Sequence, residues 1–308
     1  MQIDLFTSRK AFAKLNLHLQ VLNRRNDNFH NLLSIMAEIE IFDLLKLESF
    51  KFVPHEKSLD VEIACSGGIS ADILKEIPAD ENLVSIAVRK YLAALSIGGY
   101  LKFSIEKNIP SGAGIGGGSS DAAAALELVR TALKLQQEEP LFSAASESGS
   151  DVPFFLKGGV AFAEGRGEIL QQIDRNPALP VVLVNNGIHV NTGKAYSSLK
   201  RGYDDLYTLE ELQRRKNELY SLLDEPSEWK NHFINDFEKP VFQQYPELEK
   251  LKNKMYDLGA DFSLMSGSGS SVYGVFKDMQ VSLSAAEELK KEGNRVFQTG
   301  IRCREING

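Results

Sequence analysis

The chain has 308 residues, a formal net charge of −7, 43% hydrophobic side chains and 25% charged ones. That length suits one large domain or two modest ones, with the composition of an ordinary globular protein. The negative balance excludes a general nucleic-acid surface and leaves room for one nucleotide in a local cationic pocket. No apolar run approaches the ~18 residues of a membrane span. The opening Met-Gln-Ile-Asp-Leu-Phe has no basic stretch before an apolar core, so no secretion signal is expected. Cys65 and Cys303 have no metal-ligand spacing and are expected to be inert thiols in a reducing compartment.

Residues 11–22 alternate with period two, which predicts a half-buried strand. Ala13, Leu15, Leu17, Leu19 and Val21 share one face. Lys14, Asn16, His18 and Gln20 share the other, and solvent exposure is its plainest reading. Arg24-Arg-Asn-Asp-Asn28 reads as a turn, with Asn28 suited to a left-handed conformation. Phe29 and His30 lead into an apolar run that ends near Leu47. Residues 60–64 predict a short strand. Asp80-Glu-Asn-Leu-Val84 opens a helix to about Leu95, with Asp80 as its expected N-cap. Residues 101–106 form a strand that leads to Lys107-Asn-Ile-Pro110.

Five of the seven residues from Gly112 to Gly118 are glycine, Ser119 and Ser120 follow, and a helix pattern runs from Ala122 to Leu135. A loop nearly free of side chains lets backbone N–H groups close on an anion. The helix behind it aims unpaired N–H groups and a positive dipole end at the same place, so the stretch predicts a phosphate cradle. A solvated Gly/Ser linker is the bland alternative, but a linker would not run straight into a helix. Gly112-Ala-Gly114-Ile-Gly-Gly117 also fits G-x-G-x-x-G. That fingerprint needs a strand ending at its first glycine and an acidic residue closing a strand about 20 positions on. Here Lys107-Asn-Ile-Pro110 intervenes, and Glu138 and Glu139 lie in a polar tract before Pro140. Asn191-Thr-Gly193-Lys194 lacks the Ser/Thr that would complete a Walker A loop.

Gly149-Ser-Asp151-Val-Pro153 follows a polar, small-residue tract, where an Asp by itself reads as a turn or cap residue. Residues 181–184 predict a strand. Thr208-Leu-Glu-Glu211 is a capping box opening a helix to about Asp224, and Pro246 begins a helix that ends before Gly259. Residues 262–265 and 272–276 predict strands flanking Ser266-Gly-Ser-Gly-Ser270. Residues 285–291 predict a helix and 295–300 a final strand. The order resembles a βαββαβ, split βαβ arrangement. The histidines at 18, 30, 55, 189 and 232 show no i,i+4 metal spacing. No Gly-x-Ser-x-Gly elbow stands at a strand-to-helix turn.

Pro110-x-Gly-x-Gly-x-Gly-Gly-Gly-Ser-Ser120, followed by Asp-Ala-Ala, resembles the phosphate loop of the galactokinase, homoserine kinase, mevalonate kinase and phosphomevalonate kinase (GHMP) superfamily. Ala13-Lys14-Leu15-Asn16-Leu17, Phe29-His30, Gly149-Ser-Asp151-Val-Pro-Phe-Phe155, Ala161-Phe-Ala-Glu-Gly165 and Met265-Ser-Gly-Ser-Gly269 are similar, in order, to one branch of it. The branch acts on 4-diphosphocytidyl-2-C-methyl-D-erythritol in non-mevalonate isoprenoid biosynthesis. The matches cover most of the chain. The loop is specific only to the superfamily; the Ala-Lys-Leu-Asn and Ser-Asp-Val-Pro-Phe-Phe pair is more specific.

The resemblance implies an α+β, two-domain GHMP kinase fold. A mixed-sheet domain for ATP and substrate would span residues 1–170, and a ferredoxin-like split βαβ domain residues 171–308. It implies phosphorylation of the substrate's 2-hydroxyl with ATP and Mg2+. Pro110, Ser111, Gly112, Ala113, Gly114, Ile115, Gly116, Gly117, Gly118, Ser119 and Ser120 would hold ATP, with Lys107 beside its phosphates. Asn82 would lie near adenine, although it reads equally well as a helix-start residue. Phe29 would stack on cytosine and His30 contact the base, with Asn28 where the family usually has glycine. Asn16 would orient the acceptor, and the Ser266–Ser270 loop would close over the substrate near Thr192. A cytoplasmic monomer or weak dimer is expected, with no nucleic-acid or membrane partner. A mevalonate- or homoserine-type kinase and a non-catalytic sensor of the same fold are the alternatives; a sensor has no need of both Lys14 and Asp151.

Phosphoryl transfer asks for alignment and charge neutralisation, with little covalent help. An alcohol holds its proton tightly near pH 7, so a base must receive it. Asp151 is the candidate base. Lys14 would keep it ionised and stabilise negative charge on the acceptor oxygen. Ser119 and Ser120 can add hydroxyl contacts, one of them to Mg2+.

Overall fold

The computed structural model describes residues 2–3, 7–67, 78, 80–136, 138–175, 177–203 and 207–302, so Cys303 lies outside the described residues. Two compact units interleave along the chain. One takes Met1–Ala13, Ile41–Ser111 and Gly116–Lys157; the other takes Lys14–Glu40, Gly112–Ile115 and Gly158–Gly308. The expected cut near residue 170 assumed consecutive halves. Instead β2 (Thr7–Arg24, 18 residues) and β3 (His30–Pro54, 25 residues) each run through both units. Strands of that length are several times the ordinary ~5–6 residues, long enough to serve two cores. The turn between them is as expected, with Asn28 at φ 68°.

In the first unit β4 (Leu59–Ser66) pairs in parallel with β5 (Ile97–Glu106), and β5 pairs antiparallel with the Leu44–Pro54 stretch of β3. The short β1 (Gln2–Ile3) pairs antiparallel with β3 at Phe50 and Lys51. Four helices belong to this unit among the described residues: α1 (Leu83–Ala94), α2 (Gly117–Ala132), α3 (Glu139–Ser148) and α4 (Val152–Lys157). Val88, Leu92, Leu126 and Val129 pack with Leu45, Leu47, Phe103 and Ile105 in one core. Asn82, and not Asp80, caps α1, its Oδ1 accepting from the Val84 N–H at 2.9 Å. The polar tract before Asp151 is helical: α3 buries Leu141, Ala144 and Ala145, and Pro140 sits in its first turn, where no N–H is missed.

In the second unit the Leu32–Ala37 stretch of β3 pairs antiparallel with β6 (Val160–Gly165), which pairs antiparallel with β7 (Ile169–Gln172). A second sheet holds β8 (Pro180–Val184), β9 (Phe262–Met265), β10 (Val272–Val275) and β11 (Val296–Gly300). All its pairings are antiparallel, in the order β11-β8-β10-β9. Between β8 and β9 come α5 (Thr192–Ser198), α6 (Leu209–Ser221), α7 (Trp229–His232), α8 (Glu238–Gln244) and α9 (Pro246–Asp257). The helix α10 (Met279–Lys291) joins β10 to β11 and starts earlier than expected, because Asp278 caps it through the Gln280 and Val281 N–H groups. The expected ferredoxin-like order is present. No helix among the described residues is long and apolar enough to cross a membrane.

Candidate functional site

The glycine run is shared between the units: Gly112–Ile115 belongs to the second and Gly116 onward to the first. In the first unit α2 begins at Gly117, inside the run, with Gly116 in a left-handed conformation (φ 76°) at its N-cap. The helix therefore offers its first N–H groups from glycines, whose lack of side chains leaves them open to an anion. Ser119 is half-buried and Ser120 is 2% exposed. Asp151 lies half-buried in the turn between α3 and α4. A Cβ on Gly149 would sit 3.8 Å from the Ser119 Oγ, so the Asp151 turn packs beside the phosphate-loop serine. That brings together two stretches that the sequence places some thirty residues apart.

Lys107 is held by buried acidic partners. Its expected place was beside nucleotide phosphates, yet it is 3% exposed and its ammonium is engaged by two buried carboxylates, Asp43 and Asp121 (2.6 Å to Asp121 Oδ2). Burial alone disfavours the Lys107 cation, but the two carboxylates outweigh it and hold its pKa above the ordinary lysine value. Burial pushes the Asp121 carboxyl up to about 8; Lys107 opposes that rise and the charge on Asp43 adds to it. Asp43 was missed. Its signal was an acidic residue inside the apolar run Phe42-Asp43-Leu44-Leu45, a position where only a paired charge is stable. Asn82 is spent in part on its helix, since its Oδ1 is the cap of α1.

In the second unit Lys14 is 4% exposed and donates to the Asn16 Oδ1. Asn16 Nδ2 donates to the Ser34 Oγ at 2.8 Å, and Ser34 donates to the His18 carbonyl at 2.6 Å. The polar face of β2 is thus a buried hydrogen-bonded chain. Solvation was expected for His18 and is wrong: it is fully buried, edge-on to Phe233, with Nδ1 accepting from the Ile234 N–H at 3.2 Å. Burial, then the Arg215 charge, lower its pKa to about 3. The cover comes from far along the chain, where Leu19 N donates to the Ile234 carbonyl and Asp236 N to the Leu19 carbonyl.

Two loops of this unit meet backbone to backbone. Ser266 Oγ donates to the Gly114 carbonyl at 3.0 Å and accepts from the Asn16 N–H at 3.3 Å. A Cβ on Gly114 would lie 2.3 Å from the Ser266 carbonyl oxygen, and one on Gly267 would lie 2.8 Å from the Gly114 carbonyl oxygen. Only glycine fits either place. Asn235, which sequence reasoning missed, donates to the Met265 and Gly267 carbonyls (2.7 and 2.8 Å) and holds the loop between β9 and β10. Thr192 Oγ1 stands 2.9 Å from the Ser268 Oγ of that loop.

Phe29 is 50% exposed with the Arg166 guanidinium 5.0 Å from its ring centre. His30 stacks on Tyr196 at 5.2 Å and 22°, and Tyr196 stands edge-on to Phe237. Tyr196 carried no sequence signal. Burial first, then Arg24 and Arg201, lower the His30 pKa, so its imidazole is neutral at pH 7 and able to offer both a donor and an acceptor.

Models of the GHMP kinases N terminal domain and the GHMP kinases C terminal domain match residues 82–159 and 209–295. A 4-diphosphocytidyl-2-C-methyl-D-erythritol kinase from Solibacter usitatus is 38% identical over 92% of this chain and 85% of its own length. One from Bacteroides fragilis is 35% identical over 94% of this chain and 98% of its own. A crystal structure of 4-(cytidine 5'-diphospho)-2C-methyl-D-erythritol kinase superposes with a TM-score of 0.73 at 32% identity, covering 97% of this chain and all of that one. A homoserine kinase from Cytophaga hutchinsonii, 18% identical, reaches a TM-score of 0.72 over 97% of this chain and 96% of its own and shares the fold. The chain is a GHMP kinase and belongs to the 4-diphosphocytidyl-2-C-methyl-D-erythritol kinases.

Proposed function

We propose that this ATP-dependent kinase moves the γ-phosphoryl group of ATP onto the 2-hydroxyl of 4-diphosphocytidyl-2-C-methyl-D-erythritol, with Asp151 as the base and Lys14 as its electrostatic partner. The reading rests on the Asp151 turn lying beside Ser119 at the start of the phosphate helix. The glycines of the loop and the first turn of α2 would cradle the polyphosphate through backbone N–H groups. Asp151 would accept the hydroxyl proton as the new P–O bond forms. Lys14, held by Asn16, would stabilise the negative charge that develops on the acceptor oxygen. The exposed Phe29 ring and the neutral His30, backed by Tyr196, suit a flat pyrimidine that needs both a donor and an acceptor.

Among the described residues no three or more His, Cys, Asp or Glu side chains converge as a metal cage. Mg2+ does not require one, because it is commonly bound through one or two protein oxygens and the substrate phosphates. The half-buried Ser119 hydroxyl fits that part. Ser120, at the buried side of α2, fits it less well. The ion would neutralise phosphate charge during transfer.

A coupled ADP-release assay tests the acceptor. ADP release with the diphosphocytidyl compound, and none with mevalonate or homoserine, is expected. Turnover with mevalonate or homoserine alone would overturn the assignment, and tight binding of ATP and the diphosphocytidyl compound without ADP formation would make the protein a sensor.

A further inference from the structure

The buried ion triad of the first unit joins the two feet of the glycine-rich loop. Asp43 Oδ1 accepts the N–H groups of Asn108 (2.5 Å) and Ile109 (2.8 Å), just before the glycine run. Asp43 Oδ2 faces the Lys107 ammonium, which also binds the Asp121 carboxylate, one turn into α2. A Cβ on Gly117 would fall 2.9 Å from the Ile109 Cγ2 and 3.8 Å from the Lys107 Nζ, so the ammonium lies directly beneath the first residue of the helix. The three side chains therefore stitch residues 107–109 to residues 117–121.

We propose that Asp43, Lys107 and Asp121 are positioning residues that clamp the phosphate loop in its ATP-binding shape before ATP arrives. The proposal rests on the ATP-dependent reading above. A free loop rich in glycine has more conformations to lose on binding than any other loop of its length. Fixing both feet beforehand removes part of that cost from the binding step. The charges suit the task. A lone buried lysine under a helix N-terminus would be disfavoured by burial and by the dipole; the two acidic side chains offset both and keep the ammonium in place. The Asp121 Oδ1 has no hydrogen-bond partner and is buried, so this carboxylate is not turned outward to meet a ligand. Asp43 Oδ1 also supplies the acceptor for the buried Ile109 N–H, which would otherwise lack one.

In the full-length protein, Lys107→Met and Asp121→Asn together remove the ammonium and one carboxyl group and leave Asp43 on the Asn108 and Ile109 N–H groups alone. Kinetics over ATP and over the diphosphocytidyl acceptor, melting temperature, and hydrogen exchange of the loop amides are the readouts. The KM for ATP is expected to rise ~10-fold or more, the scale of one or two ordered side chains, while the acceptor KM stays within about two-fold. Loop amides of the ATP-free variant should exchange ~10-fold faster and regain protection at saturating ATP. If the double variant does not fold, Asp43→Asn, which keeps an oxygen toward both N–H groups, is read in the same way with a smaller rise. A folded variant with an unchanged KM for ATP overturns the clamp, as does one in which both KM values move in step with the melting temperature. A wild-type protein without saturable ATP dependence overturns the kinase reading itself and this one with it.

Discussion

At Gly114 the backbone turns at φ +76° with the Ser266 carbonyl oxygen where a methyl group would stand. Gly114→Ala must part the two loops or strain the turn, at a cost of roughly 1–3 kcal/mol of stability. With Gly114 in the proposed phosphate cradle, the same change should raise the KM for ATP by ~10-fold. Urea denaturation and ATP kinetics would check both, and an alanine protein with wild-type values in each would refute the close approach. His18 carries a pH signature. Its folded pKa of about 3 lies below the ordinary 6.5. Between those values the unfolded chain takes up a proton that the folded chain refuses. The stability contributed by neutral His18 is therefore full above about pH 6.5 and is lost as pH falls toward about 3. His18→Asn retains an acceptor near the Ile234 N–H and removes the titration. Its urea stability should fall less steeply with acid than the wild type, by up to about 1.4 kcal/mol per pH unit; parallel curves would refute the burial.

Elements with local signals were legible. The capping box at Thr208 and Glu211 forms as read, with Glu211 N donating to the Thr208 Oγ1 at 3.1 Å and Thr208 N donating to the Glu211 Oε2 at 2.8 Å. Thr208→Ala should destabilise α6 by about 1 kcal/mol in a denaturant titration, with the kinetics unchanged. The alternation of residues 11–22 gave β2, and the chemistry at Asn28 gave the turn after it, because each depends only on neighbours in the chain. The helix α3 was hidden because Ser and Glu dilute its few apolar residues. The exposed reading of the β2 polar face failed for a different reason. Leu19 and His18 are covered by the chain at residues 234–236, and a periodicity within twelve residues carries no trace of a cover two hundred residues away.

At the scale of the molecule, the motifs that named the chemistry were all in the sequence, while the supports of the site were not. Lys107 looked like a phosphate ligand because it precedes the glycine run; Asp43 and Asp121, drawn in from β3 and α2, turn it inward. Likewise Ser34 and Asn235 order Asn16 and the loop at Ser266 through one or two polar contacts that leave no spacing pattern. The compact units follow no single cut in the chain, because two strands of unusual length belong to both. The role of Asp151 is the centre of the account. Asp151→Asn keeps the shape of the turn and removes the proton acceptor, so single-turnover phosphorylation of the diphosphocytidyl substrate at saturating ATP measures that role most directly. A fall of ~100-fold or more with near-normal substrate binding is expected; a variant that transfers phosphate at close to the wild-type rate would contradict it.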